Sequence, residues 1–395
     1  MYYVWQHRMF QSIVSIDKTE IEIIHPGLRN LDSGPDFFNS KIRINGTVWA
    51  GNVEMHVKAS DWFKHHHQDD KIYDSVILHV VLAADAEIRL HDGEIVKTAV
   101  MNIPKDVMDH FKSLTTINKF SFSAINCKNE LSAVPSIILH DWQTSLVIQR
   151  MMNKVNRVRD IIDDKQKSWP EALYVTLCRA LGTGINSDAC ERLARSLPYA
   201  FLQKHADHYI QIEAMILGQA NLIDNLQLKK EYEFLRAKFS LKPLPREVWK
   251  MSRTRPQASP QIRLRAFARI IYFHKDLFSK IIASESIESI SKMLTIPNMI
   301  GKSTVNSLII NSIVPIMLAY AQWQQDDDLN EKSIHLLESL PAESNRYMEY
   351  WIACGIPLKN AMDSQAMLQL YKEYCEPHKC MRCRIGCWLL KNKRQ

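Results

Sequence analysis

Asp36, Glu54 and His56 are the residues whose types and spacing fit hydrolytic chemistry. Pro35-Asp36 opens one strand-like stretch, and Glu54-Met55-His56-Val57-Lys58 lies on the next. Side chains in a strand alternate between faces, so Glu54, His56 and Lys58 share one side and Val53, Met55 and Val57 the other. A hairpin that sets Asp36 beside Glu54 brings two carboxylates into one small volume, where they can hold Mg²⁺. His56 or Lys58 would then position or deprotonate a water, and the metal would offset charge on a scissile phosphate. Asp36, Glu54, His56 and Lys58 are therefore the candidate catalytic residues, with Asp36 and Glu54 as candidate metal ligands.

Two further clusters have ligand chemistry. His65-His66-His67 is followed by Asp69-Asp70. Three consecutive histidines on one turn cannot all face one ion, so His65, His67 and Asp70 form a candidate additional site and His66 reads as solvated. His79 sits in an apolar run and reads as a hydrogen-bonded core residue. Near the C-terminus, Cys375, Cys380, Cys383 and Cys387 follow a C-x4-C-x2-C-x3-C pattern, with Pro377 and Gly386 as turn residues. Four thiolates can close around Zn²⁺ or a [4Fe–4S] cluster. Alternatively Cys380, Cys383 and Cys387, at i, i+3 and i+7, line one apolar face of a helix.

The elements that must position these groups change character along the chain. Residues 20–24 and 41–44 alternate as strands, and Asn45-Gly46 is a strong hairpin signal leading into the Glu54 strand. Ser60 or Asp61 reads as a helix N-cap. The run 75–81 reads as a strand buried on both faces, and 87–90 with 95–100 as a hairpin through Asp92-Gly93. From about residue 136 the periodicity is helical, over 137–158, 171–181, 187–203, 206–238, 261–283, 302–323, 329–339, 343–353 and 363–374. The expected fold is thus an α/β domain with a mixed sheet over 1–115, a connector over 116–135 and an all-α domain over 136–374. A Cys-rich basic segment over 375–395 ends the chain.

Composition sets outer limits. The chain has 395 residues, 46% apolar and 24% charged, which is ordinary for a globular protein. No apolar run approaches the ~20 residues of a membrane span, and the first residues lack the apolar core of a signal peptide. The expected compartment is cytoplasmic, where eight cysteines do not imply a disulfide framework. A formal charge of +7 permits a polyanionic partner without requiring one. Arg253, Arg255, Arg263 and Arg265 are the candidate phosphate-backbone contacts, with a structural role at a domain contact as the alternative.

The order strand, strand with Asp36, strand with Glu54-x-His56, helix, buried strand resembles the core of the PD-(D/E)xK nuclease superfamily. That resemblance implies a restriction-endonuclease-like fold and Mg²⁺-dependent cleavage of nucleic acid. It also implies a lysine where this chain has His56, a departure that bears on activity more than on fold. A degenerate nuclease fold serving as a non-catalytic binding scaffold is one alternative. A His/Asp metallohydrolase acting on a small phosphoester is another. Over nearly its whole length the chain is similar to a bacterial family, domain of unknown function 2851. The similarity rests on 33–37 (Ser-Gly-Pro-Asp-Phe), 49–56 (Trp-Ala-Gly-Asn-Val-Glu-Met-His), His65 to His67, 76–81, 213–220, 253–256, 260–264, 311–320 and Cys380-x2-Cys383. That family brings no assigned activity, and its pattern favours Asn-Phe-Pro where this chain has Ala258-Ser259-Pro260.

Overall fold

A computed structural model describes residues 1–30, 33–105, 107–109, 125–164, 168–251 and 259–392. The chain divides into two compact units, one of Met1–Ile138 with Glu373–Gln395 and one of Leu139–Lys372. The C-terminal cysteine segment thus belongs to the sheet unit.

The sheet unit begins with a short helix, α1 (Tyr2–Gln6), followed by β1 (Ser12–Ser15), β2 (Ile21–His25), β3 (Leu28–Arg29), β4 (Phe37–Ile44) and β5 (Thr47–Lys58). Asn45 and Gly46 take φ of 47° and 79°, the left-handed pair that a tight β4–β5 hairpin requires. After β5 the chain crosses through α2 (Asp61–Lys64) and two 3₁₀ turns into β6 (Val76–Ala83), and β7 (Thr98–Asn102) follows. The sheet order is β1-β7-β6-β5-β4-β2, with β3 also on β4. The β5–β6 and β6–β7 pairs are parallel and the others antiparallel, so the sheet is mixed as expected.

One face of the sheet packs Val53 and Met55 of β5 with Leu78 and Val80 of β6. Trp5, Phe37, Ile42 and Leu390 join the same core. The other face packs Trp62, Tyr73 and Val81 with Ala59, Ile88 and Val96. Glu54, His56 and His79 are also buried, so β5 and β6 are covered on both sides. Val57 departs from the alternation and is exposed, because β5 has left the covered region by then. The hairpin expected through Asp92-Gly93 contracts to a single bridge, Arg89 to Ile95, because residues 98–102 pair with β6 and β1 instead. Ser60 does not cap α2 through its side chain; its amide and hydroxyl both go to Asp85, at 2.8 Å each.

The second unit is helical. The run expected over 137–158 is the helix Ser136–Asp163, and Trp169–Leu181 follows. Three expected long helices are each broken in two, at Leu197-Pro198, between Gln219 and Leu226, and between Phe273 and Leu277. The helix Ile287–Leu294 was not expected; it is amphipathic but only 8 residues long. Lys302–Gln324 is long and apolar enough by composition to cross a bilayer, yet 72% of its apolar window is buried inside the protein. Within it, Ile309–Ile313 widens to a π-turn.

Candidate functional site

Register explains how Asp36 reaches Glu54. Phe37 pairs with Val53 across the antiparallel β4–β5 ladder, which places the preceding residue, Asp36, opposite Glu54. A register shift follows between Phe37 and Ser40, with Asn39 in the left-handed region and its amide donating to Asn52 Oδ1 at 3.2 Å. Such bulges re-aim side chains next to functional sites. The Asp36 amide donates to Glu54 Oε2 at 3.0 Å, and Asp36 Oδ2 accepts from the Met55 amide at 3.1 Å. Each carboxylate is thus tied by one oxygen to the backbone of the facing strand.

Burial, then the neighbouring Glu54 charge, push the Asp36 carboxyl up to about 7, against smaller opposing effects from the Met55 amide, the Tyr2 hydroxyl and Arg29. Tyr2 reaches Asp36 from α1 and is itself raised to about 12, first by burial and then by Asp36 and Glu54. The Arg29 guanidinium lies 4.2 Å over the Tyr2 ring.

Glu54 Oε1 faces histidines. It lies 3.6 Å from His56 Nε2 and 3.5 Å from His67 Nε2. His56 Nε2 is also 3.0 Å from His65 Nδ1, and His56 Nδ1 is 2.9 Å from His79 Nε2. Ligand atoms of His56, His65 and His67 all lie within 4.8 Å of one another. His67 Nε2 is buried and has no hydrogen-bond partner among the described residues. Burial, partly offset by the Glu54 charge, lowers His56 to about 4. Burial again, then the charges His56 and His67 carry when protonated, lower His79 to about 3. Both rings are neutral near pH 7.

The local fold makes this cluster. His66 has φ 59°, a left-handed residue between α2 and the next 3₁₀ turn. The chain reverses there, so His65 and His67 turn toward β5 while the His66 side chain stays 78% exposed beside Asp69. Trp62 stands edge-on to His56, His67 and His79, and Tyr73 packs on His67 with ring centroids 3.9 Å apart. Tyr2, Trp62 and Tyr73 were not singled out in the sequence as neighbours of this cluster, whereas His79 is the hydrogen-bonded core residue that a polar ring inside an apolar strand implied.

Two expected members are placed elsewhere. Asp70 accepts from the Ile72 amide at 3.0 Å as the cap of the 3₁₀ turn Lys71–Ser75 and is exposed. Lys58 is exposed at the end of β5, where its amide donates to Asp61 Oδ2 at 3.1 Å. Its charge bears on Asp85, which is lowered chiefly by Ser60 and lastly by Lys58. The stem does not reach back because β5 ends beyond the covered face.

The cysteines form no disulfide. Among the described residues, groups of three or more Cys, His, Asp or Glu ligand atoms within 4.8 Å do not include Cys375, Cys380, Cys383 or Cys387. Cys375 ends a π-turn, Cys380 starts a 3₁₀ turn, and Cys387 lies in the helix Arg384–Asn392 with its thiol donating to the Met381 carbonyl at 3.5 Å. Gly386 is not a turn residue but a helical one, and a Cβ there would stand 2.2 Å from the Cys380 carbonyl oxygen. Its missing side chain lets helix and turn pack closely.

Arg253 and Arg255 lie outside the described residues. Arg263 is buried, with Nη2 donating to Thr304 Oγ1 at 3.2 Å. Arg265 pairs with Glu213 at 3.1 Å and Asp224 at 2.5 Å. The two described arginines are thus tied into the helical unit.

No curated protein and no solved structure matches this chain. A family match does extend over residues 1–299 and 295–346, and the chain belongs to that family, described as protein of unknown function, DUF2851.

Proposed function

We propose that the sheet unit is a metal-dependent hydrolase of phosphodiester bonds, with nucleic acid as its substrate class. The observation that carries this reading is the pairing of the Asp36 and Glu54 carboxylates across β4 and β5, with His56 two residues on. The strand order β2-β4-β5-β6, antiparallel twice and then parallel through α2, supports a PD-(D/E)xK-like core.

The donor set fits a divalent cation. Glu54 Oε1 faces two ring nitrogens, and one of those, on His67, is buried without a hydrogen-bond partner among the described residues. Glu54 with the flanking imidazoles would hold the ion, with Asp36 beside it. When bound, such an ion supplies an acidic water and a countercharge for the phosphate. Asp36, held near 7, has the proton affinity suited to a general base at neutral pH. His56, held near 4, is a poor base there and serves as a ligand instead. Tyr2 orients the Asp36 carboxyl.

A second reading is a small phosphoester as substrate, and the engagement of Arg265 by Glu213 and Asp224 favours it. Metal-loaded protein should be offered bis(p-nitrophenyl) phosphate, linear DNA and single-stranded RNA at several salt concentrations. Cleavage that needs the metal and disappears in Glu54→Gln supports the proposal. A steep salt dependence on the polymers assigns nucleic acid, and a flat one the small ester. Absence of cleavage on every substrate overturns the hydrolase reading.

A further inference from the structure

We propose that Glu54, His56, His65 and His67 form the binding site of one Zn²⁺ ion, in preference to Mg²⁺. The inference deepens the hydrolase reading and rests on it for the ion's use, while binding itself is measured without any hydrolysis.

Spacing is the first argument. Zinc bonds of about 2.0–2.1 Å at a tetrahedral angle set neighbouring ligand atoms about 3.4 Å apart. The measured separations are 3.0 Å for His56 Nε2 to His65 Nδ1, 3.6 Å for His56 Nε2 to Glu54 Oε1 and 3.5 Å for His67 Nε2 to Glu54 Oε1. The three imidazoles stay within 4.8 Å of one another.

The second argument is an orphaned atom. His67 is 9% exposed, and its Nε2 has no hydrogen-bond partner among the described residues although it points at the Glu54 carboxylate. A buried polar atom left so is costly and calls for an unseen ligand.

Support around the ligands is the third. His56 Nδ1 is hydrogen-bonded to His79 Nε2, which fixes the ring and leaves Nε2 for the metal. Trp62 and Tyr73 pack against His67 and hold its orientation. The left-handed His66 turns the residues on either side of it inward. His65 is the exposed member, so the cluster opens to solvent on that side.

Donor chemistry then chooses the ion. Imidazole suits zinc and its neighbours, whereas Mg²⁺ takes oxygen ligands and retains several waters. Three nitrogens against one facing carboxylate oxygen is a zinc set. One carboxylate also leaves the ion with net positive charge, which attracts an anionic ester.

The test uses the full chain stripped with a chelator. Zn²⁺ and Mg²⁺ are titrated separately by calorimetry, bound zinc is counted by elemental analysis, and Co²⁺ is added as a spectroscopic stand-in. Expected are one tight Zn²⁺ per chain, Mg²⁺ weaker by at least a hundredfold, and a Co²⁺ spectrum without thiolate charge transfer. His65→Gln, at the exposed position, should weaken zinc at least tenfold with an unchanged circular dichroism spectrum, and His67→Gln should do the same. Cys380→Ser with Cys383→Ser should leave affinity unchanged. Zinc affinity unchanged from wild type in both histidine variants, no zinc uptake, or a thiolate band with Co²⁺ overturns the proposal. Zinc bound as expected, with no ester cleaved, sinks the hydrolase reading alone.

Discussion

Asp36 and Glu54 are linked by a reciprocal exchange: the Asp36 amide donates to Glu54 Oε2 at 3.0 Å, and the amide following Glu54 donates to Asp36 Oδ2 at 3.1 Å. The exchange pins both carboxylates before any ion arrives. It also means that an amide side chain can replace either carboxylate without breaking the strand contact, since its oxygen still accepts. Glu54→Gln should therefore fold normally, with Tm within a few degrees of wild type. Metal-dependent hydrolysis should fall about a hundredfold or more, as loss of a charged ligand exceeds the ~10–100-fold typical of its supporting partners. Parallel thermal melts and initial rates check both halves.

Acid should destabilise the metal-free protein through its buried histidines. His56 and His79 are lowered to about 4 and about 3, chiefly by burial, while an unfolded histidine titrates near ~6.5. The unfolded state binds more protons in that window, so each ring's contribution is full above about pH 6.5 and is lost as pH falls toward 4 and 3. Asp36, raised to about 7, acts oppositely, and its effect grows as pH rises from about 4 to 7. Comparison with His79→Gln isolates one ring: the variant should take up about one proton fewer on unfolding between about pH 6.5 and 4. Urea midpoints across that range measure it, and identical slopes refute it.

Arg265→Ala should be a stability mutation. It leaves Glu213, whose side chain is 13% exposed, without its cation and releases the more exposed Asp224. After allowance for solvent screening, the expected cost is about 1–2 kcal/mol in the helical unit. Filter-binding slopes against salt should not change. A slope flatter by about one unit would instead assign this guanidinium to a phosphate.

Gly218→Ala should be among the most damaging small changes in the helical unit. A Cβ there would stand 2.1 Å from the Tyr232 ring, which is buried and anchored by its hydroxyl to Gln219 Oε1 at 3.0 Å. Alanine favours helix by about 1 kcal/mol over glycine, but overpacking of about 1–3 kcal/mol or more against an immobile ring outweighs that gain. Calorimetric unfolding should show a destabilised helical unit while zinc titration of the variant is unaltered.

The hairpin at Asn45-Gly46, the alternation of β5 and the Asp36–Glu54 encounter were legible in the sequence, because turn chemistry and period-two spacing are local rules. The His65–His67 pair was legible as chemistry but not as geometry. Its convergence on Glu54 depends on one left-handed backbone angle at His66, and φ is not encoded by residue type for a histidine. Lys58 misled because alternation assigns a face but not how far along the strand that face stays covered. The cysteine spacing left a metal loop and a single helix face open. Cys380 and Cys383 precede the helix Arg384–Asn392 and Cys387 lies within it, so the three do not share one helix face, and Gly386 lets that helix close down on the preceding turn.

Leu390 packs into the same core as Val4, Trp5 and Met55, yet the whole helical unit, Leu139–Lys372, lies between them in the chain. During synthesis the strands emerge first and their closing helix only after the helical unit. At about 5–20 residues per second that delay is on the order of tens of seconds. The helical unit, continuous in sequence, can complete itself on the ribosome, while the sheet presents an unfinished apolar face throughout. The nascent sheet, its apolar face still open, is thus the stage at which aggregation of this chain is expected to be easiest. Candidate catalytic side chains that meet early, Asp36 with Glu54, would sit on a unit that becomes stable last.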